Sequence, residues 1–120
     1  MSQWELQYLG AQNIPPNLSA VEIEHFFTLR PAELEAVFKG RRTANRLGLA
    51  LHTGFLKFSG AVLNSTDLIP QAVLAHIGKQ ISPDKRTPQI ASIRSVYKRR
   101  STLFEHQQDA ANILGFRKLT

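Results

Sequence analysis

The chain has no cysteine among its 120 residues, and only one methionine and one tryptophan. Without thiols it forms neither disulfides nor thiolate metal sites, which suits a reducing compartment. No apolar run reaches the length of a membrane span. The opening Met1-Ser2-Gln3-Trp4-Glu5 lacks the basic-then-apolar order of a signal peptide. The expectation is a soluble, cytoplasmic chain. Catalytic signatures are missing too. There is no His-Glu-x-x-His, no Gly-x-Ser-x-Gly elbow and no phosphate-loop glycine pattern. His25, His52, His76 and His106 stand in no metal-binding pair at i, i+4, so neither a metal nor any other cofactor is expected. A small ribonuclease built on two histidines and a lysine stays a remote rival.

Carboxylates are scarce after residue 38. Residues 1–38 hold one basic and five acidic side chains, a net of −4, whereas residues 39–120 hold fourteen basic and four acidic, a net of +10. A basic body behind an acidic leading segment fits a nucleic-acid binder, and equally a surface that meets an acidic protein. The length fits one domain, with residues 1–20 as an N-terminal arm and 21–118 as a helical body.

Strand signals are also lacking, with no clean period-two alternation and no Asn-Gly or Asp-Gly hairpin turn. Apolar residues recur instead at helical spacing, which predicts an all-α, compact multi-helix fold. Trp4, Leu6, Tyr8 and Leu9 read as a short strand or one helical turn, ended by Pro15-Pro16. Residues 21–27 follow Ser19 as a short helix or an extended piece. Pro31 opens a helix capped by Thr28 or Arg30, and Gly40 stops it. Thr43 is the expected cap of a central helix to about Phe58. Its inward stripe is Leu47, Leu51, Phe55 and Phe58, and its one wet strip is Arg46, Thr53 and Lys57.

Gly48 inside that helix implies close packing on a neighbouring backbone. Asp67-Leu68-Ile69-Pro70 starts a helix over 70–81. A polar turn through Pro83 and Pro88 then leads into one long helix over 88–114, ended by Gly115, with Leu103, Phe104, Ala110 and Ala111 at near-heptad spacing. The pairs 31–38 with 43–58 and 70–81 with 88–114 are helix-turn-helix-like units.

Candidate DNA contacts follow from side-chain chemistry. Guanidinium grips phosphate and guanine in a fork, and an amide fork fits adenine. Arg41, Arg42 and Arg46 lead, with Asn45 either a base-edge contact or a helix cap, and Arg46 alternatively paired with Glu33 or Glu35. Lys57, Lys85-Arg86 in a turn, Lys98-Arg99-Arg100, Thr102 and Arg117-Lys118 complete the set. His106 is favoured for packing, and Phe26, Phe27, Phe55 and Phe58 are core by spacing.

Phe27-Thr28-Leu29-Arg30-Pro31-Ala32-Glu33-Leu34, Arg41-Arg42, Asn45-Arg46-Leu47-Gly48-x-Ala50 and Leu56-Lys57-Phe58-x-Gly60 resemble the N-terminal region of Tn-three family transposases. Later pieces keep the same order: Gln80-Ile81, Tyr97, Arg99-Arg100, Thr102-x-x-Glu105-His106 and Leu114-Gly115-Phe116-Arg117. The likeness covers roughly 27–118. It departs at Leu103-Phe104 and Ala61, where arginines are common in the family, and at Lys57. What the resemblance implies is a double-stranded-DNA-binding domain for the terminal inverted repeats of a bacterial transposon, in the nucleoid. Its other partners would be further domains or copies of the transposase. Strand-transfer chemistry in that family belongs to a distant domain with three metal-binding carboxylates, so this chain is expected to bind without cutting. The rival is a protein–protein interaction module of a transposition complex.

Overall fold

A computed structural model describes residues 8–66 and 68–115, so Trp4, Leu6, Asp67, Arg117 and Lys118 lie outside the described residues. Among the described residues the chain forms six α-helices and no strand: α1 (Ala20–Phe27), α2 (Pro31–Phe38), α3 (Thr43–Ser59), α4 (Gln71–Ile81), α5 (Ile90–Val96) and α6 (Arg100–Ile113). The all-α expectation holds. The described part of the arm lies on the core, where the Tyr8 ring stacks at 4.5 Å on Phe58 and its hydroxyl donates to Glu22.

Local signals account for most helix ends. Ser19 caps α1 in a capping box, its hydroxyl accepting from the Glu22 amide while Glu22 accepts from the Ser19 amide. Pro31 sits at the first position of α2, and Arg30 rather than Thr28 is the cap residue. The Arg30 amide donates to the Glu33 carboxylate at 2.8 Å. Gly40 and Gly60 take left-handed φ of 67° and 74° just past the ends of α2 and α3, where a side chain would be strained.

α3 is the hub and packs against each of the other five described helices. Residues Leu47 to Phe58 are buried all round its circumference apart from half-buried Lys57. Phe55 and Phe58 are fully enclosed and Phe27 nearly so; such burial is worth about 1.5–3 kcal/mol per side chain. The wet strip drawn from periodicity is therefore corrected. Thr53 is fully buried, its hydroxyl donating back to the Leu49 carbonyl at 2.8 Å, and Lys57 bonds inward to Glu33 and to the Thr28 carbonyl. A helix surrounded by neighbours has no solvent side for a strip to face. Thr43 is likewise corrected: it is the first helical residue, and Arg42 holds the cap position without a side-chain cap bond.

The single helix over 88–114 is two helices. Tyr97, Lys98 and Arg99 form a three-residue break between α5 and α6. Gly48 makes room for the ring at the head of the break, because a Cβ there would collide with the Tyr97 phenol. The neighbour that Gly48 makes room for is thus a side chain, not a backbone. The break also shifts the helical phase. His106 and Ala110 turn inward on α6, while Phe104, placed in the stripe by spacing, is 56% exposed.

Candidate nucleic-acid interface

The basic side chains meet three different fates. Arg41 is consumed by the fold. Its Nη1 donates to the carbonyls of Ala36 at 2.7 Å and Lys39 at 3.2 Å, and Nη2 pairs with Asp109 at 3.1 Å. One guanidinium thus closes the carbonyl end of α2 and ties it to α6, the charge-complementary end for a cation. Lys57 is neutralised by buried Glu33. It also lies fifteen residues along the chain from Arg42, about 22 Å at the helical rise.

Arg46 is half-committed. Its guanidinium carbon lies 4.6 Å from the centroid of the Phe38 ring and its buried Nε has no partner. The proposed pairing with Glu33 or Glu35 is not made, since Glu33 is taken by Lys57 and the Arg30 backbone. Asn45, in the first turn of α3, is half-exposed and its amide bonds to no described residue. A capping role for it is therefore not seen.

Arg42, Lys98, Arg99 and Arg100 are exposed, and no described carboxylate pairs with them. Tyr97 seats the break on Gly48, six residues from Arg42, or about 9 Å of helix axis. The Arg41–Asp109 pair sets the C-terminal half of α6, not its basic start, beside the start of α3, while Gln107 donates to the Leu63 carbonyl past the end of α3. The block Lys98-Arg99-Arg100 stands at the α5–α6 break. Lys85 and Arg86 are not brought there. They sit at the opposite end of α5, in the exposed turn, where Lys85 has a φ of 57° and Arg86 pairs with Asp84 at 3.4 Å. Thr102 is half-buried in the first turn of α6.

The break is braced from beneath by three rings. The Tyr97 hydroxyl hydrogen-bonds His106 Nδ1 at 2.6 Å, and His52 lies edge-on to Tyr97 at 5.2 Å between ring centroids. Burial lowers the His52 pKa to about 3, with the nearby His106 adding to the shift. Neither of its nitrogens has a partner among the described residues. Burial also lowers His106, opposed by Asp109, and pushes the Tyr97 phenol well above its ordinary value. All three are thus neutral near pH 7, and the favoured packing role of His106 agrees with its geometry.

Sequence reading missed the outer face of α6, because treating 88–114 as one helix put Phe104 in the core. Among the described residues, no group of three or more His, Asp or Glu could hold a metal ion, and no helix is long and apolar enough to cross a membrane.

Comparison with known proteins adds a family. Residues 6–120 match the family model described as Domain of unknown function (DUF4158). The chain is 40% identical over 116 residues to a transposase for insertion sequence element IS1071 in transposon Tn5271 of Comamonas testosteroni, covering 97% of this chain and 12% of that protein. It is 31% identical over 91 residues to a transposase for transposon Tn1546 of Enterococcus faecium, covering 76% of this chain and 9% of that protein. The chain therefore spans about a tenth of the length of these relatives. No solved structure matched it.

Proposed function

The chain belongs to the DUF4158 family, and with transposases as its relatives we propose that it is the non-catalytic DNA-recognition part of a transposase. In this reading it binds the double-stranded terminal inverted repeats of the element, and further domains or copies of the transposase carry out strand transfer. The observation that carries the reading is the exposed basic block Lys98-Arg99-Arg100 at the α5–α6 break, with which no described carboxylate pairs. Exposed guanidinium and ammonium groups without internal carboxylate partners are what a polyphosphate backbone requires. Phosphate contacts fall to Lys98 and Arg99 and, separately at the start of α3, to Arg42, with Asn45 available close by Arg42 in the chain. Arg41 and Lys57 support the fold instead.

Fluorescence anisotropy with a labelled duplex carrying the element's terminal repeat, against a shuffled duplex of the same composition, tests this at about 50 and 200 mM salt. The expected result is tighter binding to the repeat and a steep fall in affinity with added salt. Binding that ignores salt, or absence of binding to either duplex, would reverse the reading in favour of a docking module inside the transposition complex.

A further inference from the structure

From Leu47 to Phe58 α3 has no open face to lay in a groove, since other helices enclose it there. α6 is different. It packs on α3 through His106 and Ala110, and its opposite side is open. Along that side Arg100, Phe104, Gln108 and Asn112 follow one another at intervals of four, with Ser101 beside them. At 3.6 residues per turn this row drifts by roughly 40° per step and stays on one face for about 18 Å.

Its composition is unusual for a solvated face. It has two amides and a bare aromatic where charged pairs are the norm, with Gln108 donating to Asn112 at 3.3 Å and Glu105 flanking. A single exposed apolar side chain is ordinary, as Val21 and Leu68 show elsewhere on this surface; what sets Phe104 apart is its place among amides on the open face of a helix that begins in a basic block.

We infer that α6 is the helix that enters the major groove, and that its outer row reads base edges; the inference rests on the DNA-binding reading above. The major groove, about 12 Å wide, admits an α-helix. Each side chain of the row has a matching base edge. Arg100 forks to guanine, Gln108 and Asn112 reach adenine, and the Phe104 ring packs against the 5-methyl group of thymine. Lys98 and Arg99, in the break just before the helix, take the flanking phosphates and fix how α6 is inserted.

The thymine contact supplies a clean probe. The chain is used to enrich a consensus duplex from a random-sequence pool, and anisotropy then measures the ratio of consensus to shuffled binding. Wild-type chain should lose about fivefold to tenfold in that ratio when uracil replaces every thymine, since only the methyl groups are removed. Phe104→Ala should bind the thymine and uracil forms of the consensus alike, and Gln108→Ala should lower the ratio about tenfold. Val21→Ser, at another exposed position, should leave the ratio unchanged.

If Phe104→Ala keeps the thymine preference and Gln108→Ala keeps the ratio, α6 is not the reading helix. Salt-dependent duplex binding without any enriched consensus overturns base reading by α6 while leaving phosphate binding intact. Failure of wild-type chain to bind duplex at either salt removes the DNA reading and this inference together.

Discussion

The two helices with arginine-rich beginnings, α3 and α6, differ in what surrounds them. α3 is preceded by Arg41-Arg42, and within two turns every side of it is covered, so Arg41 and Lys57 become internal fasteners. α6 starts at Lys98-Arg99-Arg100 with one face covered and one face open. Density of positive charge along a sequence therefore says little about which cations remain available. Availability is decided by the packing partner, and for Arg41 that partner lies 68 residues away at Asp109.

The comparison predicts opposite consequences for opposite deletions. The largest effect is expected from Lys98→Ala, Arg99→Ala and Arg100→Ala combined. Duplex affinity should fall about hundredfold and the log–log salt slope flatten by about 2, one for each of Lys98 and Arg99, with thermal stability nearly unchanged. A triple variant with unaltered slope would erase the distinction between the two helices.

Next comes His52→Leu, which probes the covered helix. An imidazole held neutral in the fold titrates normally when unfolded, so the unfolded chain binds more protons below about pH 6.5. Stability is thus fully present above that pH and drains away as acid is added, down towards the folded-state value of about 3. At pH 5 the His52 contribution is about 2 kcal/mol, which His52→Leu should recover in urea unfolding relative to wild type. A variant that loses stability equally at pH 5 and pH 8 would mean that the ring is not a neutral buried group.

The smallest effect sharpens the contrast from the α3 side. Arg41→Ala frees the carbonyl end of α2 and breaks the link to Asp109, both partly solvated. The cost is about 1–2 kcal/mol, or a melting point lower by roughly 4–8 °C. Its salt slope on duplex DNA should match wild type. A flattened slope would return Arg41 to the DNA-contacting set.

Much of the scaffold was legible in the sequence because its punctuation is local. Pro31, Gly40, Gly60 and Gly115 act through their own backbone geometry, and the spacing of Leu47, Leu51, Phe55 and Phe58 needs only one helix to be read. The α5–α6 break was not legible. It is accompanied by a tertiary contact, the Tyr97 ring over Gly48, that no local spacing announces, and helical periodicity carried through a three-residue interruption arrives with the wrong phase. Phe104 was misplaced for that reason, and with it the open face. For the candidate contacts, residue type was legible in the sequence but exposure and pairing were not. Arg46 on Phe38 and Lys57 on Glu33 show why: each cation chose a partner that only folding brings near.

The seat of Tyr97 on Gly48 has a mechanical side. A single rigid ring, pinned at its far end by His106, stands between the break and the helix that touches all the others. A load on α6 therefore reaches α3 both through that ring and through His106 and Ala110 packed on the hub. The two helices should thus move together rather than hinge at the break between α5 and α6.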